Sequence, residues 1–259
     1  MRILLGSTGS RRTGSLPEIG NEVRLVERAE PVEDLPAIAA LNGPFDVVVL
    51  DVGACRDEAL PILREIRRRG LRLPVLILAA RLPQDEEQEA LHAGADDVVA
   101  KPVAPGLLVA RLHALVRRAL GHSSALIGCG NVTLDQARRL VVVDGRPVPL
   151  TPREFELLEM LMLRRGVVLA KEQLMSRLYG DEDAPEPRIL DVFVCKLRRK
   201  LAAAGAAEIL RTVWGRGYVA EEPGGSAVAA AQARFASGQP RMRRAHLALA
   251  GGVAFQASA

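Results

Sequence analysis

Residues 188–201 read Arg-Ile-Leu-Asp-Val-Phe-Val-Cys-Lys-Leu-Arg-Arg-Lys-Leu, and their spacing decides what kind of helix they form. At 100° per residue, Leu190, Val194, Leu197 and Leu201 fall within about 60° of one another, with Phe193 beside them. The opposite face gathers Arg188, Val192, Cys195 and Arg199, flanked by Lys196. One stripe docks on a core and the other presents cations outward. Within 188–200, five basic residues (Arg188, Lys196, Arg198, Arg199, Lys200) stand against one acid, Asp191. Such a face suits the roughly 12 Å major groove of duplex DNA. A solvated helix end, favoured by the macrodipole, would carry the same residues. The neighbouring segments must decide.

Downstream, Leu210–Val213 and Gly217–Val219 bracket Trp214-Gly215-Arg216 as a hairpin. Upstream, a small sheet is predicted from Asn131–Leu134, Leu140–Val143 and Arg146–Leu150, the last two joined by Asp144-Gly145, a strong hairpin signal. Thr151-Pro152-Arg153-Glu154 combines an N-cap, a Pro in the first turn and a Glu three residues on, predicting a helix to about Arg164. A second helix is predicted over Lys171–Tyr179. Small sheet, three helices and terminal hairpin make a winged-helix order, in which groove insertion outweighs the solvated-end reading.

The first 120 residues follow another rhythm. Short runs rich in Val, Ile and Leu (Arg2–Leu5, Val23–Val26, Asp46–Leu50, Pro74–Leu78 and Val98–Ala100) alternate with helical patterns at about 33–41, 58–69, 84–93 and 105–119. This predicts an α/β domain with a doubly wound, flavodoxin-like five-stranded parallel sheet and a site at the carboxyl ends of its strands. Three features fall there: Asp51, Lys101-Pro102 and Gly6-Ser7-Thr8-Gly9-Ser10. An Asp and a Lys meeting at that edge form either a phosphorylation site, with the carboxylate as nucleophile, or an ordinary charge pair. The Ser/Thr/Gly loop could cradle a phosphate, as flavin-binding domains do. Against that, Phe45 is the only aromatic residue of the first 120.

At 259 residues, 49% apolar and 25% charged, the chain has the length for two globular domains. The boundaries expected are a first domain over 1–118, a linker over 119–125, a winged-helix domain over 126–222 and a tail over 223–259. The net charge of +4 belongs to the tail, where Arg234, Arg241, Arg243 and Arg244 face no acid. Rich in Ala, Gly and Ser, the tail is expected to be mostly disordered. Three scattered cysteines (Cys55, Cys129, Cys195) fit neither a disulfide framework nor a CxxC metal site and point to a reducing, cytoplasmic setting. No apolar stretch approaches the ~18 residues that span a bilayer, so no membrane partner is expected. No paired carboxylates, nucleophile–His–acid grouping or metal cluster suggests an enzyme.

Longer blocks carry a resemblance. VVVLDVG (47–53), PVLILAA (74–80) and GADDVVAKP (94–102) resemble the receiver domain of two-component response regulators. LTPREFELLEMLMLRRG (150–166), LDVFVCKLRRKL (190–201) and TVWGRGYV (212–219) resemble the OmpR/PhoB effector domain. The resemblance implies that Asp51 stands where phosphate is accepted from a histidine kinase and Lys101 where the phosphoryl group is contacted. It implies a third effector helix reading double-stranded DNA, with Lys196 and Arg199 on bases or phosphates and Arg188 and Arg198 on the backbone. Thr212, Trp214 and Arg216 become wing contacts, and the loop Tyr179–Pro187 falls where the family touches RNA polymerase. Receivers of the family dimerise through their fourth helix, fifth strand and fifth helix. Asp97 and Arg111 match one cross-dimer ion pair there, whereas Leu107 replaces a Glu of another. A homodimer would take repeated half-sites about one helical turn apart, ~10–11 bp.

The receiver departs from that pattern. Ser7 and Thr8 replace the two acidic residues that hold Mg²⁺, Ala79 replaces the switch hydroxyl, and Val98 the switch aromatic. Mg²⁺ relies on carboxylate oxygens, so one aspartate with two hydroxyls should hold it poorly, and no cofactor is expected. Gly9, Gly14, Pro17 and Gly20 interrupt the first helix, expected around 8–22, which should be short, shifted or missing. The expectation is a degenerate receiver joined to a winged helix, regulating transcription without phosphorylation. Two alternatives stand beside it: a regulator phosphorylated on Asp51 in the usual way, and a flavin or small-ligand sensor using the pocket around Ser7, Thr8 and Asp51.

Overall fold

A computed structural model of the chain describes residues 1–8, 25–41, 45–180 and 185–238. The first part runs β1 (Arg2–Ser7), β2 (Leu25–Ala29), α1 (Leu35–Leu41), β3 (Val47–Ala54), α2 (Leu60–Arg68), β4 (Val75–Arg81), α3 (Gln84–His92), β5 (Asp97–Ala100) and α4 (Pro105–Ala119). The sheet order is β2-β1-β3-β4-β5, and every pairing is parallel. Side chains alternate across a strand, so each apolar run feeds two cores. Leu4, Val48, Leu50 and Ile77 pack with Leu60 and Leu63 of α2, while Ile3, Leu5, Val49, Leu76 and Leu78 pack with Leu108, Leu112 and Leu115 of α4. This is the doubly wound arrangement expected from the alternation of strands and helices. Its topological switch lies between β1 and β3, where Ser7 and Asp51 stand in register.

Several boundaries moved, most plainly at α2 and β2, while the strand expected over Arg146–Leu150 ends at Pro147. The helix expected from 58 starts at Leu60, after a π-helical turn over Cys55–Ala59. The strand expected at Val23–Val26 is Leu25–Ala29. Residues 23 and 24, and nearly all of the helix expected around 8–22, lie outside the described residues.

The second part comprises β6 (Leu126–Cys129), β7 (Val132–Asp135), β8 (Leu140–Val143), β9 (Arg146–Pro147), α5 (Pro152–Leu163), α6 (Lys171–Tyr179), α7 (Arg188–Ala203), β10 (Leu210–Val213) and β11 (Gly217–Ala220). Strands β6 to β9 form an antiparallel sheet, and β10 pairs with β11. Asp144 and Gly145 both take positive φ, as the tight β8–β9 turn requires. Thr151 and Glu154 cap α5 reciprocally, side chain to backbone in both directions. The Glu154 carboxylate also accepts from Lys200 Nζ at 2.6 Å, tying α5 to α7. Leu190, Val194, Leu197 and Leu201 are the buried residues of α7, the stripe read from their spacing. No helix among the described residues is long and apolar enough to cross a membrane.

The tail corrects an expectation. Part of the stretch expected to be disordered forms a helix, α8 (Gly225–Gly238), against the winged-helix domain. Ala231 is buried, the Arg146 guanidinium lies 4.3 Å from the Phe235 ring centroid, and Gln232 donates to Asp144 at 2.8 Å. Alanine has the highest helix propensity and buries without a large side chain, so a pattern-poor Ala run can still dock when one aromatic anchors it. Residues 239–259 lie outside the described residues.

The two parts meet through charge. Asp46, buried just before β3, accepts the Arg2 N–H at 2.8 Å and Arg164 Nη2 at 2.6 Å, and it also pairs with Arg177. Arg164 follows α5 and Arg177 lies on α6, so one receiver carboxylate holds two effector guanidiniums. Burial pushes the Asp46 carboxyl up, but Arg177, the Met1 ammonium, Arg164 and the Arg2 N–H together hold it below its ordinary value. A second bridge links Arg117 of α4 to Gln136 at 3.0 Å, and Gln136 in turn to Glu159 of α5 at 2.8 Å. Burial pushes the Glu159 carboxyl up against that hydrogen bond.

Two measurements check these bridges. Asp46→Asn leaves two buried guanidiniums without their counter-charge and should cost about 3–5 kcal/mol in urea denaturation. Glu159 works the other way. A raised folded pKa means its favourable contribution is present at low pH and lost as pH rises. Glu159→Gln should therefore raise the urea midpoint at pH 7, and the gain should vanish below roughly 4.3, the ordinary glutamate value.

Candidate nucleic-acid interface

The face of α7 turned from the core carries Arg188, Val192, Cys195, Lys196 and Arg199, all exposed. Lys196 and Arg199 make no ion pair among the described residues. The other two bases of the segment are spoken for. Lys200 is held by Glu154, and Arg198 donates to the Leu210 carbonyl at 3.2 and 3.1 Å and to the Thr212 hydroxyl at 2.9 Å. Arg198 and Thr212, both expected to touch DNA, are thus joined to each other, and their bond ties strand β10 to α7.

The wing rises beside this face. Trp214, at its tip, is 90% exposed, and Arg216 is exposed beside it. Gly215, between them, takes positive φ. A cleft of about 540 Å³ separates helix from wing, lined by Asp191, Cys195, Arg198, Trp214, Arg216 and Tyr218 among others. Asp191 closes its floor by pairing with Lys171 of α6 at 2.7 Å and accepting the Tyr218 hydroxyl of β11. Lys171 first, then Tyr218, hold the Asp191 carboxyl below its usual value, while burial and the same bond push the Tyr218 phenol up. At the base of the wing, Tyr218 and Leu169 exchange backbone hydrogen bonds at 3.0 and 2.8 Å. A Cβ on Gly217 would meet the Leu169 carbonyl oxygen at 2.0 Å, so only glycine fits there. Of the loop Tyr179–Pro187, residues 181–184 lie outside the described residues.

In the first part of the chain, Asp51 is buried within β3 and paired with the Lys101 ammonium beyond β5. Ser7 ends β1 opposite Asp51, and the Thr8 N–H donates to the Asp51 carbonyl at 3.2 Å. The Thr8 hydroxyl turns to Glu58 instead, a carboxylate the sequence reading did not single out. No short-range pattern marks the contact, because Thr8 is fifty residues away in sequence. Ala79 and Val98 are both buried. Among the described residues no group of three or more His, Cys, Asp or Glu side chains could hold a metal ion. Phe45, the aromatic available to a flavin, is buried with the Arg2 guanidinium 5.0 Å from its ring centroid. Asp97 and Arg111 pair within the chain at 2.9 Å, and Leu107 of the same helix is half exposed.

Residues 20–113 match the response regulator receiver domain family, and residues 145–220 match the family described as transcriptional regulatory protein, C terminal. The cell cycle response regulator CtrA of Brucella anthropi is 41% identical over 180 residues, which cover 69% of this chain and 78% of CtrA. Among solved structures, the Thermotoga maritima response regulator DrrB, an OmpR/PhoB homolog, is 25% identical, with a TM-score of 0.38 over 85% of this chain and 99% of DrrB. The RstA DNA-binding domain of Klebsiella pneumoniae, solved in complex with the RstA box, is 27% identical, with a TM-score of 0.34 over 39% of this chain and all of that domain. A receiver followed by a DNA-binding winged helix, at 41% identity over most of a curated relative, places the chain in the OmpR/PhoB family of response regulators, to which it belongs.

Proposed function

We propose that this response regulator binds specific DNA sequences and regulates transcription without waiting for phosphorylation of Asp51. The observation that carries the proposal is the exposure of the interface while the two domains are docked. Arg188, Lys196, Arg199, Trp214 and Arg216 are all open to solvent in the chain held together by Asp46. No domain has to be released before α7 meets a groove. Lys196 and Arg199 then reach base edges or phosphates, Arg188 takes the flanking backbone, and Trp214 and Arg216 take the adjacent minor groove or its phosphates. Arg198 and Thr212 serve by positioning, holding the wing at a set distance from the helix.

The pocket around Asp51 supports the same reading. Its one aspartate is committed to Lys101, and hydroxyls stand at the positions of the acidic pair. Mg²⁺ takes octahedral oxygen ligation rich in carboxylate charge, whereas the two carboxylates here are already engaged, Asp51 by Lys101 and Glu58 by Thr8 and two backbone N–H groups. A histidine kinase is then not a required partner, and the receiver serves as a dimerisation and docking module. Two chains would exchange the Asp97–Arg111 pair between them and take half-sites about one helical turn apart, ~10–11 bp. RNA polymerase would meet the loop between α6 and α7, beside the DNA face.

The DNA partner can be selected from a random duplex pool by the wild-type chain. Asp51→Ala should bind the selected duplex with affinity within about three-fold of wild type by fluorescence anisotropy. A ten-fold loss, or a ten-fold gain by wild type alone on treatment with acetyl phosphate and Mg²⁺, would restore conventional phosphorylation control. Lys196→Ala should cost about 1–3 kcal/mol of binding and relax the sequence preference. Unchanged binding would mean that another element reads the DNA.

A further inference from the structure

A carboxylate at the strand ends remains to be explained. Glu58 lies in the π-helical turn after β3, and its side chain folds back over the carboxyl end of the sheet. Oε2 accepts the Gly53 N–H at 3.0 Å and the Thr8 hydroxyl, while Oε1 accepts the Ala54 N–H at 3.1 Å. The Thr8 hydroxyl first, then the two N–H groups and the nearby Lys101 charge, hold Glu58 below the usual glutamate value against partial burial. The carboxylate lies directly on the backbone: a Cβ on Gly53 would be 3.0 Å from Oε1.

A helix cap would require only the Ala54 N–H. Here a hydroxyl from just after β1 and two N–H groups from the end of β3 converge on the same group, with the charge of Lys101, which itself donates to Asp51, nearby. Backbone N–H groups, a hydroxyl and an ammonium gathered around one small volume are the donor set of an oxyanion site. In this chain an oxyanion is already there, and it is the protein's own.

We propose that Glu58 is a built-in anion, whose carboxylate fills the oxyanion place beside Asp51 and excludes a free one, so that removing it opens a site for inorganic phosphate. This extends the phosphorylation-independent reading and rests on it. With Glu58 in place, the charges of Asp51 and Glu58 outnumber that of Lys101 and repel an incoming anion. Without it, Asp51 and Lys101 cancel, and two N–H groups and a hydroxyl are left to be satisfied from solution.

The test is a titration of the full chain with inorganic phosphate at constant ionic strength, followed by the amide resonances of Gly53 and Ala54. Wild type should show no saturable shift across the millimolar range. Glu58→Ala should show saturating shifts at both amides, with apparent affinity at least about ten-fold tighter than any wild-type response. Adding Lys101→Ala should abolish them. Glu58→Ser, which also empties the place of the carboxylate, carries the same test if the alanine variant unfolds. Equal phosphate binding by wild type and variant overturns the proposal, as does a folded variant whose amides do not respond. The readout is anion binding, not DNA affinity, so this proposal and the function it extends can fail separately.

Discussion

Asp46 is a single buried carboxylate asked to hold two guanidinium groups from another domain, and much of the molecule's arrangement follows from that. An arginine cannot shed its proton at any ordinary pH, so the charges of Arg164 and Arg177 have only two resting places, the Asp46 carboxylate or water. Burial pushes the Arg164 pKa down, yet the residue remains a cation. Docking is therefore close to an all-or-none choice. If the domains part, three charged groups regain solvent together; if they stay, the N-terminal edge of the sheet is fixed against α5 and α6. The winged helix accordingly presents α7 from a platform that includes the receiver.

Much of this was legible in the sequence, and the reasons are local. The strands of the receiver are fully apolar because both faces are covered, and Val47–Leu50 and Val75–Leu78 show it without any partner being known. The Thr151–Glu154 capping box and the 190–194–197–201 stripe of α7 depend on spacing alone. Strand β6 was missed because glycine occupies one of its outward positions, leaving Ile127 and Cys129 as the only inward signal. Helix α8 was missed because its docking depends on distant residues, Arg146 and Gly205 among them.

Candidate site residues divided the same way. The exposure of Lys196 and Arg199 follows from the helical wheel. Arg198 lies only about 40° from Val194 on that wheel, at the edge of the buried stripe, so its inward commitment was readable from the same construction. Glu58 was not readable. Its Gly53 and Ala54 partners are local, at the end of β3, but the Thr8 hydroxyl follows β1, and only the topology brings it across some fifty residues of sequence. Charge shows the same limit: the total of +4 comes from the tail, and within 188–200 two of the five bases face inward.

The close approach of Gly217 to the Leu169 carbonyl bears on how such a regulator changes targets. Because backbone meets backbone there, the pitch of the wing relative to the helix is set by the main chain and is insensitive to which side chains the tip carries. Target preference then becomes a matter of substitution on a rigid frame. Exposed positions such as Val192, Lys196, Arg199, Trp214 and Arg216 can be exchanged one at a time without re-aiming the others. A lineage can rewrite its operator in single steps, each keeping the rest of the contact pattern in register.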